Sequence, residues 1–340
     1  MTKASTFLNL LNNYFTMYLP NAIGVSPNTI LSYKATFRLL LKYILDTKNI
    51  PADKITFEML DYDLLTGFLH WIESERKCSS ATKNLRLSAI SSFAAYAQNR
   101  DIDAATVFRC SVNKIPYKRC KNKKRAVMTR EEVTILMALP NENYITGLRD
   151  KIMLMVMYAS GMRAQEICDL KVKDISFNSN GAVFNILGKG QKRRRLSIPP
   201  ACASALLRYI QHRNIENLPE RHIFSSIVHE KMTISCVEEI FKKYIAIAKQ
   251  QYPNLFPEKS YPPHSMRHTT ACHLLESGVP LMVIKNFLGH TSILTTQIYA
   301  EISQETVDRN LKEWNQKWFD ESNFKDKIDT YDKLPIFLMP

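Results

Sequence analysis

A phenol, two imidazoles and a guanidinium occur within thirty-six consecutive residues of this chain. They belong to Tyr299, His264, His290 and Arg267. A tyrosine hydroxyl has an ordinary pKa of about 10, so only about 0.1% is ionised and ready to attack at neutral pH. Cationic neighbours favour the phenolate and stabilise the negative charge that develops on the group under attack. The anionic target that best fits such a cluster is a phosphate.

Two further cationic positions lie upstream. Arg163 follows a glycine and a methionine, and Lys189 lies between two glycines at the tip of a predicted β-hairpin, with Lys192 as a rival for the same role. His264 and Arg267 are three residues apart, so they would share one face of a helix. The two guanidinium groups could hold phosphate oxygens through paired, charge-assisted hydrogen bonds.

Other kinds of site fit these residues less well. His264 and His268 have the i, i+4 spacing of a zinc pair, but no glutamate follows the first histidine. The sequence around Lys189 lacks the spacing and the Ser/Thr of a phosphate-binding P-loop. Glu166 is interpreted as a support for Arg163 that does not itself react. We therefore expect neither a metal nor a cofactor.

Helical segments on both sides of a basic stretch must position these side chains. Residues 5–108 have helical periodicity, and a helix that begins near Ser79 is predicted to bury an apolar face. The predicted members of that face are Leu85, Ala89, Phe93 and Tyr96. Lys83 and Arg86 fall on other faces, where they would either contact a phosphate backbone or remain solvated.

Positive charge is concentrated in the first part of the chain. The 340 residues carry a formal net charge of +14, and residues 1–125 contain 19 lysines and arginines against 9 acidic residues. This balance indicates a polyanionic partner, either nucleic acid or a membrane surface. Residues 110–125 contain seven basic residues and no acid, which predicts a linker along DNA or a solvated connector. The predicted DNA-binding residues are Lys83, Arg86, Lys118, Arg119, Lys121, Lys123, Lys124 and Arg125.

The second half combines helices with one predicted hairpin. Thr129 and Glu132 have the spacing of a capping box, and Ala182–Leu187 with Leu196–Pro199 alternate as two strands. An amphipathic helix is predicted over residues 306–319, packing either on its own domain or on a neighbouring protomer.

The sequence predicts a soluble, cytoplasmic protein. It has seven cysteines without a CxxC pair, no signal peptide and no apolar run long enough to span a bilayer.

The ordered set of motifs resembles the tyrosine recombinase (phage integrase) family. The six matching positions are the first arginine Arg163, the hairpin lysine Lys189, the His-x-x-Arg box His264 and Arg267, the Leu-Gly-His histidine His290, and the nucleophile Tyr299. Met162 and Met266 stand where the family often has leucine. Each motif alone is weak, whereas six in register carry a strong resemblance.

The resemblance implies a mainly α, two-domain fold. We expect an N-terminal helical core-binding (SAM-like) domain over residues 1–109 and a basic linker over 110–125. A catalytic domain of mixed helices with a small antiparallel β-sheet would occupy 126–319, followed by a tail over 320–340. No arm-binding domain is expected, because helical sequence starts by residue 7.

The family also implies an activity. Tyr299 would attack double-stranded DNA and form a 3′-phosphotyrosine, Lys189 would protonate the departing 5′ oxygen, and His290 would donate a hydrogen bond to the phosphate. His264 would accept the phenol proton or orient the phosphate. The enzyme would act as a homo-tetramer on synapsed DNA, with accessory recombination proteins as further partners, to integrate and excise a mobile element. Chromosome dimer resolution, inversion, a type IB topoisomerase-like activity and a DNA-binding regulator remain open.

Overall fold

A computed structural model describes residues 3–120, 125–187, 193–226, 228–289 and 292 of the chain. The chain forms two units, over residues 1–123 and 124–340, and each has its own hydrophobic core. The helix predicted over residues 306–319 and the tail over 320–340 lie outside the described residues. The domain boundaries given above remain predictions.

The first unit is helical. Its elements are α1 (Lys3–Asn13), a π-helical segment (Tyr14–Ile23), α2 (Pro27–Lys48), two 3₁₀ turns (Ala52–Lys54 and Phe57–Met59), α3 (Tyr62–Ser74), α4 (Ser80–Arg100) and α5 (Ile102–Lys114). Ser79 caps α4, because its side chain accepts a hydrogen bond from the backbone N–H of Thr82. Helix α4 packs against α2, α3 and α5, and Phe93 at its centre is fully buried.

The buried face of α4 differs from the prediction at one position. Ala89, Phe93 and Tyr96 are buried, but Leu85 is 47% exposed. Leu87 is buried in its place. Because three helices surround α4, its buried surface is wider and rotated relative to the narrow stripe that a single periodic row predicts.

The first residues of the stretch predicted as a linker are helical. Residues 110–114 continue α5, which Asp101 caps and which buries Val112. The following residues contact α4: the side-chain amide of Asn84 donates to the Lys118 carbonyl (2.8 Å) and accepts from the Lys118 N–H (3.0 Å). The first part of this stretch carries a single charge, on Lys114, and its apolar side continues the buried face of α5, whereas the other six basic residues follow at 118–125.

The second unit surrounds a small sheet with helices. Its elements are α6 (Arg130–Ala138), α7 (Ile145–Ser160), α8 (Ala164–Asp169), a 3₁₀ turn (Val172–Asp174), β1 (Ile175–Asn178), β2 (Gly181–Leu187), β3 (Arg193–Ile198), α9 (Pro200–His212), α10 (Ile234–Gln251), α11 (Pro263–Glu276) and α12 (Leu281–Leu288). The sheet is antiparallel with the order β1-β2-β3. The predicted hairpin and the Thr129–Glu132 capping box are both present, whereas the four-residue strand β1 was not predicted.

Helix α7 lies at the centre of this unit. Its apolar residues, including Met153 and Met157, are buried against the sheet and against α9 and α11. The Thr270 hydroxyl of α11 donates to the Tyr158 carbonyl of α7 (2.9 Å). The apolar run of α7 is thus covered by protein, and none of the helices in the described ranges has the length and hydrophobicity needed to cross a membrane.

Candidate active site

Arg163 lies at the junction of α7 and α8. Helix α7 ends at Gly161, whose φ of 60° is left-handed, and the chain then turns into α8. The backbone N–H of Arg163 donates to Glu166 Oε2 (2.9 Å), and its Nη1 donates to Glu166 Oε1 (2.9 Å). Glu166 therefore orients Arg163 through both its backbone and its guanidinium, as the sequence indicated.

Arg267 lies on α11 and is 1% exposed. Its Nη1 donates to the Gly161 carbonyl (2.7 Å) and its Nη2 to the Leu288 carbonyl (2.5 Å). These carbonyls lie at the C-terminal ends of α7 and α12, where helix carbonyls lack internal partners and the helix dipole is negative. The buried charge of Arg267 is thereby accommodated while it holds two helix ends together.

His264 lies in the first turn of α11, on the same face as Arg267. His264 is exposed, and its ring packs edge-on against His268 with ring centroids 4.7 Å apart. Loss of hydration lowers the pKa of His264 below its ordinary value, and the charges of Arg267, Arg163 and Arg125 lower it further. Glu166 opposes these effects. At neutral pH His264 is therefore uncharged and able to accept a proton.

Arg194, on strand β3, was not among the residues predicted from the sequence. Its Nη2 donates to Glu166 Oε2 (2.7 Å), its Nη1 donates to the Leu288 carbonyl, and its side chain is 11% exposed. A signal was present in the sequence. Strand alternation places Arg194 on the same face as the buried Leu196 and Ile198, and a charge on a buried face requires partners.

The structure brings three of the six predicted catalytic residues, Arg163, His264 and Arg267, into one neighbourhood. Their roles remain predictions. Lys189, His290 and Tyr299 lie outside the described residues. Across the ranges that are described, no group of three His, Cys, Asp or Glu side chains is arranged to hold a metal ion.

The predicted DNA-binding residues have varied surroundings. Lys83 and Lys118 both form ion pairs with Glu73, which lower the pKa of that carboxyl. Arg86 is the one least suited to the prediction, because its Nη1 donates to the Ser32 carbonyl and the Thr36 hydroxyl (3.0 Å each) within the helical core.

The remaining predicted bases continue into the second unit. Arg119 is exposed, and the Nη1 of Arg125 lies 3.4 Å from Nε2 of His268. Lys121, Lys123 and Lys124 lie outside the described residues. DNA binding by this whole set therefore remains a prediction.

Comparisons with known proteins agree with this architecture. Residues 126–306 match the model of the phage integrase family, and residues 6–115 match the phage integrase SAM-like domain. A putative integrase/recombinase, y4rC, of Sinorhizobium fredii is 34% identical over 305 residues, covering 88% of this chain and 89% of that protein. The tyrosine recombinase XerC of Chlamydia caviae is 30% identical over 307 residues, covering 86% and 94%.

A solved structure has the same fold. The Tn1549 transposon integrase, in complex with a circular intermediate DNA, superposes with a TM-score of 0.70 at 15% identity. The match covers 92% of this chain and 99% of that chain. The matches to both family models and the 34% identical relative show that the chain belongs to the phage integrase family and is a tyrosine-type site-specific recombinase.

Proposed function

We propose that this recombinase integrates and excises a mobile element by cutting and rejoining double-stranded DNA at a defined site. The observation that carries the phosphate chemistry is the meeting of Arg163, at the junction of α7 and α8, with His264 and Arg267 of α11. The 34% identity to a protein named as a putative integrase/recombinase supports integration as the reaction.

The charges of the site favour an anionic substrate. Glu166 forms ion pairs with Arg163 and Arg194. Around His264, the charges of Arg267 and Arg163 lower the pKa of the imidazole, and among the described residues Glu166 is the acid that opposes them. Within the described part of the chain, the guanidinium of Arg163 donates only through Nη1, and its side chain is 32% exposed. In the proposed complex this exposed guanidinium donates to a non-bridging phosphate oxygen, where preorganised donors stabilise the charge of the transition state.

In the proposed reaction, the Tyr299 hydroxyl attacks a backbone phosphorus. A bond forms between the tyrosine oxygen and phosphorus as the bond from phosphorus to the 5′ oxygen breaks. The phenol proton passes to His264, whose lowered pKa keeps it neutral, and Lys189 protonates the departing oxygen. His290 donates a hydrogen bond to the phosphate. The phosphotyrosine keeps the energy of the broken ester, so rejoining needs no ATP.

The proposal is tested with suicide substrates made from the DNA that flanks the gene. Wild-type protein should form a covalent adduct on a denaturing gel, and Tyr299→Phe should form none while DNA affinity is nearly unchanged. Tyr252→Phe, which alters an exposed tyrosine at the end of α10, is the matched control and should form the adduct normally. An adduct that persists in Tyr299→Phe would exclude this residue as the nucleophile.

Chromosome dimer resolution or inversion is the second candidate, and the 30% identity to a protein named as a tyrosine recombinase supports it. These reactions and integration share one chemistry but differ in how two sites are arranged. Plasmids that carry paired flanking sites in direct, inverted or separate arrangements distinguish them by product. Relaxation of supercoiled DNA without any defined site would instead indicate a topoisomerase-like activity.

A further inference from the structure

One arginine outside the six motif positions contacts several parts of the site at once. Arg194 of β3 donates to Glu166, the carboxylate that orients Arg163, and to the Leu288 carbonyl at the end of α12. The same carbonyl accepts Nη2 of Arg267. A carbonyl oxygen has two lone pairs, so Leu288 can accept both guanidinium groups. Leu288 precedes His290 by two residues in the sequence.

Gly289 permits this contact. A Cβ atom at Gly289 would lie 2.3 Å from Nη1 and 2.9 Å from Cδ of Arg194, so a side chain there would displace the guanidinium. The φ of Gly289 is 66°, which also favours glycine. The glycine therefore has two separable roles: it ends α12, and it lets Arg194 approach the last carbonyl of that helix.

Arg194 is not arranged to bind DNA directly. Both of its terminal nitrogens donate to protein acceptors, and 11% of its side chain is exposed. Its neighbour Arg195 is exposed on the opposite face of the strand. Any effect of Arg194 on the reaction must therefore pass through the groups that it holds.

We propose that Arg194 is a positioning residue of this recombinase. Its guanidinium fixes the Glu166 carboxylate that orients Arg163 and the helix end that leads into His290, in one arrangement with the hairpin strand β3. The inference rests on the phosphoryl-transfer function proposed for the site. Glu166 lies on α8 and Leu288 lies on α12, which are far apart in the sequence. Because the Arg194 guanidinium donates to both, it fixes the distance between them.

The test measures single-turnover cleavage of a suicide substrate by full-length protein at saturating concentration. Arg194→Gln should slow cleavage by at least about tenfold, with the DNA dissociation constant changed less than about threefold. Arg195→Gln removes the same charge from the next residue of β3 and should change the cleavage rate by less than about twofold. Hydrogen exchange should quicken in peptides that cover 164–169 and 281–289 in Arg194→Gln, but not in Arg195→Gln.

A glycine pair perturbs the same contact from the other side. Gly289→Ala should slow cleavage as Arg194→Gln does. The cleavage rate of the double variant should lie within about twofold of the slower single variant, because both substitutions remove the same contact. Gly278→Ala is the control for backbone strain, since its φ is 82° but nothing lies within 4 Å of a Cβ there. It should cleave at close to the wild-type rate.

The outcomes separate the two proposals. If wild-type protein forms no adduct, the proposed function fails, and hydrogen exchange alone then decides whether Arg194 holds these segments. If wild-type protein cleaves but Arg194→Gln cleaves equally fast or shows unchanged exchange, the positioning role is overturned. A loss confined to DNA affinity would overturn it too, because that result would make Arg194 a DNA contact. Should Arg194→Gln fail to fold, Gly289→Ala against Gly278→Ala decides the question.

Discussion

Replacing Glu166 with glutamine removes a carboxylate that pairs with both Arg163 and Arg194. Glutamine keeps the size of the side chain and one acceptor oxygen, but it brings an amide N–H₂ towards a guanidinium. Glu166 is 8% exposed and Arg194 is 11% exposed, so the positive charge of Arg194 would be left without its partner and poorly hydrated. We expect the second unit to lose stability and Arg163 to lose its orientation.

The magnitude follows from the burial of the two ion pairs. The pair with Arg194 is almost enclosed, at 11% and 8% exposure, and breaking such a pair by removing one partner costs about 3–5 kcal/mol. The pair with Arg163 is weaker, because that arginine is 32% exposed and solvent screens it. Since glutamine retains one acceptor, we expect a total loss near the lower end, about 3 kcal/mol.

The assay is a urea titration read by hydrogen exchange in peptides from residues 125–289, which reports on the second unit alone. The matched control is Asp169→Asn in the same short helix. Asp169 pairs with Lys231, but both side chains are nearly half exposed, so the loss should stay below about 1 kcal/mol. Equal, small losses for Glu166→Gln and Asp169→Asn would refute the view that Glu166 holds two arginines in place.

Two further predictions concern side chains that gain or lose a proton. Because the pKa of His264 is lowered in the folded protein, the unfolded chain binds a proton first as pH falls below about 6.5, and stability should decline from there towards pH 5. His264→Gln should show a smaller decline in urea titrations at pH 7 and pH 5, and an identical decline would contradict the assigned cause. Lys189→Ala should lose adduct formation on ordinary DNA and regain it on a substrate with a 5′-thio leaving group, which needs no proton. If the thio substrate does not restore cleavage, the general acid lies elsewhere, with Lys192 the next candidate.

Local interactions made several features predictable from sequence. Ser79 caps α4, Thr129 and Glu132 form a capping box, and the strands around Lys189 pair as a hairpin, because each depends on residues only a few positions apart. The types and order of the motif residues likewise identified the family. Each of these features depends on a side chain and its near neighbours in the sequence.

Burial by distant elements was less accessible. Leu85 was assigned to the core of α4 but is exposed, because the positions of α2, α3 and α5 decide which face is covered. Residues 110–114 were assigned to the linker, but they complete a helix whose apolar side packs on the first unit. In both cases the tertiary contacts changed an assignment that local sequence favoured.

The sequence by itself determined which groups are available for phosphoryl transfer, since a guanidinium or an imidazole has its chemistry wherever it lies. Only the tertiary structure decided how they are held. Arg267 donates to Gly161 and Leu288, which are 106 and 21 residues away, and Arg194 donates to that same Leu288 carbonyl from a third element. Carbonyls at helix ends lack partners within their own helix, so the packing of α7, α11, α12 and β3 decides which arginines donate hydrogen bonds to them.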